Sequence, residues 1–228
     1  MTGPLGRGTL YVVSTPIGNL EDISIRAVST LSGADLIAAE DTRTTKVLLS
    51  HYGIRKPLVS YHSYNETRRI PHLITRLLEG ASIALVSDAG TPGISDPALR
   101  IILAALEAGI AVRAVPGASA LLSALIVSGS PAGRFSFEGF LPAKKGRRAR
   151  LERLRDEEGA IVLYESPHRI LRTLAELKEV LGDREVAVSR ELTKKFEETL
   201  RGTPQALLER FNRGPIRGEF VIVISPKT

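Results

Sequence analysis

The sequence predicts an α/β protein built from two α/β domains, residues 1–130 and 134–228, and three observations carry that expectation. Short apolar runs alternate with amphipathic stretches from residue 9 to about 130, the pattern of a mostly parallel sheet with helices on both faces. Three of those runs end in a Gly/Pro loop. Leu10–Val13 leads into Ser14-Thr15-Pro16-Ile17-Gly18, Ile83–Val86 into Ser87-Asp88-Ala89-Gly90-Thr91-Pro92-Gly93, and Val112–Val115 into Pro116-Gly117-Ala118-Ser119-Ala120. The third observation is a change of pattern after the Gly/Pro/Ser stretch 128–133, where adjacent strand signals replace strict alternation and imply a mixed α+β second domain.

Taken in order, strands are predicted over 9–14, 35–39, 57–60, 82–86 and 111–115, with helices over 23–32, 42–52, 65–79, 97–108 and 118–128. Asp96-Pro97 reads as an N-cap followed by proline at the first helical position. Gly33, Gly80 and Gly109 stand where helix C-caps belong. The second half continues as strand 134–138, helix 146–157, strand 160–164, helix 168–181, strands 185–190 and 195–200, helix 204–212 and strand 219–225. Ser166-Pro167 and Thr203-Pro204 repeat the cap-then-proline start.

The 228 residues are long enough to bury a real core as one large domain or two small ones. No apolar run approaches the roughly 20 residues of a membrane span. The N-terminal stretch lacks the basic head and apolar body of a secretory leader, and the chain has no cysteine, so disulfides and thiolate metal sites are excluded. A cytoplasmic protein is the expectation. The formal charge of +6 is uneven: residues 1–133 hold 11 Lys/Arg against 10 Asp/Glu, residues 134–228 hold 20 against 15. The densest cluster joins Lys144, Lys145, Arg147, Arg148, Arg150, Arg153 and Arg155. It reads either as a site for a polyanion or as a solvated helix face.

Loops at the carboxyl ends of parallel strands are where open α/β sheets bind ligands. Asp88–Gly93 is neither a Walker A loop nor a dinucleotide Gly-x-Gly-x-x-Gly fingerprint, so a phosphate clamp is not expected there. A carboxylate with accessible backbone suits S-adenosylmethionine, which offers hydroxyls, an adenine edge and an amino-acid tail. The alternative for Asp88 is that it only ties its own turn. Asp41 reads as a helix N-cap, while Arg43 and Lys46 just inside that helix oppose its dipole and suggest an anionic partner. Pure capping explains Asp41 equally well. Glu165, His168 and Arg169 follow another strand, where Glu165 has the chemistry of a base and His168 that of a phosphate ligand. His62 lies in a polar-aromatic loop suited to a base or ribose. The histidines show no metal-ligand spacing, and no metal is expected.

Several segments together are specific: STPIGNLEDIS at 14–24, AAEDTRTT at 38–45, SYHSYNE at 60–66, SDAGTPGISDP at 87–97, VPGASALLSAL at 115–125, FEGFLPAKKGRR at 137–148, YESPHRI at 164–170, SRELTKKFEE at 189–198 and GEFVIVI at 218–224. Nearly end to end, from Thr9 to Pro226, the chain resembles the small-subunit ribosomal RNA methyltransferases that act on the ribose 2′-oxygen of a decoding-region cytidine. These belong to the tetrapyrrole methylase-like fold class. The resemblance implies two α/β domains with S-adenosylmethionine in the cleft between them, and a homodimer. It places the donor against Ser14, Thr15, Pro16, Asp88, Ala89, Gly90, Thr91, Ser119, Ala120 and Tyr164. Its partner would be small-subunit ribosomal RNA or the assembled small subunit, met by Lys144, Lys145, Arg147, Arg148, Arg150 and Arg169. Asp41, Arg43 and Glu165 are the residues expected to line the reaction centre. Two other readings remain: methylation of a porphyrin-like ring or a protein residue on the same fold, and a non-catalytic RNA-binding protein.

Overall fold

Ten strands form two five-stranded sheets among the residues that the computed structural model describes, which are 5, 6 and 8–227. Residues 1–4 and 7, part of the stretch read above for a leader, lie outside the described residues. Two compact units divide the chain, one ending at Ser119 and the other starting at Ala120.

The first unit alternates strand and helix: β1 (Thr9–Val13), α1 (Ile25–Gly33), β2 (Leu36–Ala39), α2 (Thr42–His51), β3 (Leu58–Ser60), α3 (Glu66–Leu78), β4 (Ile83–Val86), α4 (Ala98–Glu107) and β5 (Ala111–Val115). The sheet order is β3-β2-β4-β1-β5, and every pairing is parallel. β1 is central, with Leu10 opposite both Ile83 and Val112. Strands covered on both faces need apolar side chains pointing both ways, which is why β1, β2 and β4 are continuous apolar runs. Tyr11, Val13, Ile37 and Val86 pack with α1 and α2, through residues such as Leu31 and Leu48. Leu10, Ala38, Ile83 and Leu85 pack with α3 and α4, through residues such as Leu77 and Ile101.

Parallel strands put all their C-terminal ends on one edge of the sheet. The loops after β1, β2, β3, β4 and β5 therefore converge there, which positions the candidate site.

The second unit holds α5 (Ala120–Ser128), β6 (Phe135–Phe140), α6 (Arg147–Leu154), β7 (Ala160–Glu165), α7 (Ile170–Leu181), β8 (Val186–Arg190), β9 (Glu198–Gly202), α8 (Pro204–Phe211) and β10 (Phe220–Ile224). Its sheet order is β6-β7-β10-β8-β9; β6 and β7 are parallel and the remaining pairs antiparallel. Leu151, Leu174, Leu177, Leu207 and Phe211 from α6, α7 and α8 close the core over β7, β8 and β10. α5 packs against β7, β8, β9 and β10. That packing explains why the units part before α5, whereas the Gly/Pro stretch at 128–133 suggested a boundary after it.

Thr203 caps α8 as expected, its hydroxyl accepting the Ala206 N–H with Pro204 next in line. Asp96 also acts as a cap acceptor, for Ala98 and Gly93, but α4 starts one residue later, with Pro97 at the N-cap. Gly80 and Gly109 carry the positive φ of helix ends, whereas Gly33 is still helical and Ala34 caps α1. Ser166-Pro167 forms a turn ahead of α7, which begins at Ile170. β9 begins at Glu198 rather than 195, because residues 191–197 form a turn with left-handed Glu191 and Thr193.

Candidate active site

Hydrogen bonds knit the loop ends of the first sheet in the spatial order of its strands. Between the β2 and β4 loops, the Asp41 N–H donates to Asp88 Oδ1 at 2.9 Å and the Asp88 N–H to Glu40 Oε2 at 3.3 Å. Between the β4 and β1 loops, Thr15 and Gly90 exchange both backbone bonds, at 2.9 and 3.1 Å. The Ser14 and Thr91 hydroxyls meet at 2.8 Å, and Thr91 Oγ1 also donates to the Ala118 carbonyl of the β5 loop at 3.3 Å. Two glycines make this approach possible. Gly90 has φ +79°, and a Cβ at Gly117 would stand 3.0 Å from Ser14 Cβ.

The predicted donor residues of the first unit, Ser14, Thr15, Pro16, Asp88, Ala89, Gly90, Thr91 and Ser119, are thus brought to one edge. They divide by exposure. Asp88 and Ala89 are exposed, while Ser14, Thr15 and Pro16 are buried. The Thr15 hydroxyl faces the Ser87 and Gly90 carbonyls, so it braces the loops. Asp88 does not merely tie its own turn; it holds the β2 loop.

Asp41 is both the α2 N-cap, accepting the Arg43 N–H at 2.7 Å, and the partner of the Arg43 guanidinium through Nε and Nη2. That guanidinium holds the Asp41 carboxyl down to about 2. A carboxylate so acidic stays ionised at neutral pH and is a poor proton acceptor. Glu40, which is not among the residues expected from sequence, behaves in the opposite way. Burial, with the nearby Asp88 and Asp96 charges, raises its carboxyl above the ordinary range despite the Asp88 N–H. Glu40, Tyr61, Ser87 and Asp96 line a small open hollow at this edge. The only sequence signal for Glu40 is a carboxylate one residue past an apolar strand. His62 sits nearby with Nε2 3.0 Å from Asn65 Nδ2. Among the described residues no group of three His or acidic side chains is placed to hold a metal ion.

Ala120 and Tyr164 belong to the second unit. Burial raises the Tyr164 phenol, against a hydrogen bond from the Leu121 backbone, and its ring packs edge-on to Phe137 and Phe140. Glu165 corrects its sequence reading. It is 2% exposed, and its oxygens accept from the Ser166 N–H, Thr173 Oγ1 and Arg169 Nε at 2.6–2.8 Å. A sealed, fully bonded carboxylate lines no reaction centre. Arg147 is corrected too: it is 2% exposed and donates to Glu176, Thr173 and the Pro142 carbonyl, out of reach of any phosphate. Arg169 donates to the Leu141 carbonyl and Arg172 to that of Ala143. Three guanidiniums thus hold three consecutive carbonyls of the loop that leads to Lys144 and Lys145. Those lysines are exposed. Arg148 is exposed and pairs with Glu152 and Glu179, while Arg150 pairs with Glu138.

A family model for tetrapyrrole (corrin/porphyrin) methylases matches residues 9–208, and the chain belongs to that class. Within it, the chain belongs to the ribosomal RNA small subunit methyltransferase I family. It is 50% identical over 219 residues to the member from Halalkalibacterium halodurans, covering 96% of this chain and 76% of that protein. It is 49% identical over 220 residues to the member from Thermotoga maritima, covering 96% and 99%. Among solved structures, uroporphyrin-III C-methyltransferase from Thermus thermophilus, complexed with S-adenyl homocysteine, has the same fold, with TM-score 0.65, 17% identity and coverage of 95% of this chain and 97% of that one.

Proposed function

We propose that this chain methylates small-subunit ribosomal RNA, moving the methyl group of S-adenosylmethionine to the ribose 2′-hydroxyl of a decoding-region cytidine. The observation that carries this reading is identity near 50% over almost the whole chain to proteins named ribosomal RNA small subunit methyltransferase I. The strand-end edge of the first sheet suits the donor: an exposed carboxylate at Asp88 and exposed backbone at Ala89, on a loop that Gly90 fastens to Thr15. The donor supplies a methyl group on a positively charged sulfonium that leaves neutral, so no metal is required.

In this reading the chain's own residues supply orientation first. Holding two reactants in line is worth on the order of 7–11 kcal/mol in well-aligned systems. The knit of Thr15, Gly90, Ser14 and Thr91 fixes the loops against which the donor lies. Asp41 and Arg43, at the same edge, contribute charge rather than proton uptake. Lys144, Lys145 and Arg148 meet RNA phosphates from a loop and helix start held by Arg147, Arg169 and Arg172. The chain acts as a cytoplasmic homodimer, for which Leu99, Leu103 and Leu106 form an exposed apolar row on α4.

The test is to incubate the protein with methyl-labelled S-adenosylmethionine and small-subunit RNA, assembled small subunits or a porphyrin precursor. Label is expected in RNA, on a ribose. Label on a base, or retained when the target nucleotide is 2′-deoxy, would refute the assignment.

A further inference from the structure

β6, β7 and β8 run in the same direction, so their C-terminal ends share one edge of the second sheet. The loop after β6 carries Lys144 and Lys145; the turn after β7 carries His168 and Arg169; the turn after β8 carries Lys195 and Phe196. The register fixes this alignment, with Phe220 of β10 opposite both Glu165 and Arg190. Three strand spacings separate β6 from β8, about 14 Å across the sheet.

The β8–β9 turn is built to stand still. Glu191 and Thr193 adopt left-handed backbone at φ 52° and 66°, a conformation that costs non-glycine residues and persists only where surroundings enforce it. Here they do. Glu191 Oε1 accepts from Lys194 Nζ at 3.0 Å and the Glu219 N–H at 3.1 Å, and Lys194 also reaches Glu219 Oε2 at 2.7 Å. Gly218 makes room: a Cβ there would stand 2.5 Å from the Glu191 side chain. The neighbouring acids are engaged as well, Glu197 with the Thr193 N–H and Glu198 with Arg190.

This anchored turn presents an aromatic ring to solvent. Phe196 is 69% exposed, and Lys195 Nζ lies 5.6 Å from its ring centroid. A buried phenylalanine would serve the core; an exposed one on a strained, braced turn beside a cation has the parts of a nucleobase platform. Proteins hold unpaired RNA bases by stacking them on aromatic faces while cations follow the backbone.

We propose that Phe196 stacks an unpaired base of the RNA substrate and that Lys195 contacts its phosphate, extending along this sheet edge the track that starts at Lys144 and Lys145. The proposal rests on the RNA-methyltransferase reading, and its test separates the two. Phe196→Ala should raise KM for assembled small subunits about tenfold with kcat and donor affinity unchanged, and Phe196→Tyr should keep the wild-type KM. The chain has no tryptophan, so Phe196→Trp places a single indole at the platform. A short single-stranded RNA oligonucleotide should quench its fluorescence. An unchanged KM in Phe196→Ala, or an unquenched indole with the oligonucleotide bound by anisotropy, overturns the platform while leaving the methyltransferase reading standing. Failure of the unmutated protein to methylate either small-subunit RNA or assembled small subunits overturns that reading instead, and quenching then decides the platform by itself.

Discussion

The two sheets each gather their strand-end loops on one edge, but they fix those loops by different means. At the first edge the links are mainly backbone bonds and hydroxyls: Thr15 to Gly90, Ser14 to Thr91, Thr91 to Ala118. At the second edge they are charges: Glu165 and Glu176 anchor Arg147, Arg169 and Arg172, which hold carbonyls 141–143. The contrast is clearest between two acids that each follow an apolar strand. Asp88 remains exposed, on a loop that Gly90 fastens to Thr15, with no helix among the described residues over it. Glu165 is sealed because α6 and α7 bring two guanidiniums onto it. A carboxylate at a strand end therefore acquires its role from what the next helix places over it.

The largest effect should come from breaking the charged edge. Glu165→Ala takes the acceptor from Thr173, the Ser166 N–H and Arg169 inside a sealed site, a loss of about 3–5 kcal/mol, which in a chain this size lowers Tm by about 10 °C or more. Calorimetry checks this. An unchanged Tm with lost turnover would restore a catalytic role to Glu165 and dissolve the contrast.

Next in size, Asp88→Ala should weaken S-adenosylmethionine binding by about 1–3 kcal/mol, the worth of a hydrogen bond to a charged group. Tm should hardly move, because the site is exposed. Titration calorimetry showing wild-type affinity would mean that Asp88 serves only the Asp41 amide.

Replacing Lys144, Lys145 and Arg148 with Ala should lower the slope of log K against log salt by about one for each phosphate no longer neutralised. Circular dichroism should show an intact fold. An unchanged slope would identify these side chains as a solvated face.

The smallest expected effect is at Glu40. Its carboxyl is raised in the folded protein, so its contribution favours folding at low pH and is lost as pH rises through that raised value. Glu40→Gln should therefore raise Tm slightly at pH 8 and leave it unchanged near pH 4, where both side chains are neutral. A gain of equal size at both pH values would show that charge is not the cause.

Most of the scaffold is legible in the sequence, and the reason is local. Apolar runs ended by Gly or Pro locate β1, β4 and β5 together with their loops, and Thr203-Pro204 locates the start of α8. The fate of Arg147 is not legible, since Glu165, Thr173 and Glu176 lie far along the chain and only tertiary packing turns one member of a basic run inward. Glu40 escapes notice because its carboxyl is raised first by burial and then by the Asp88 and Asp96 charges, and only the folded chain brings these about. The end of the turn at 191–197 reads as strand because nothing in Glu191 or Thr193 announces left-handed backbone; Gly218 and Glu219 impose it from a distant segment.

The central place of β1 has a consequence for how the chain reaches its structure. β1 is made first, yet both its neighbours, β4 and β5, come later, and the bonds of Ser14 and Thr15 reach 75–77 residues ahead. At synthesis rates of about 5–20 residues per second, β1 waits on the order of 5–20 s for its second partner to be translated. An apolar strand left unpaired for that long is a template for the wrong neighbour. The first unit therefore has to close late and all at once. Ribosomal pausing before residue 115 should raise aggregation of the nascent chain, whereas pausing after it should not.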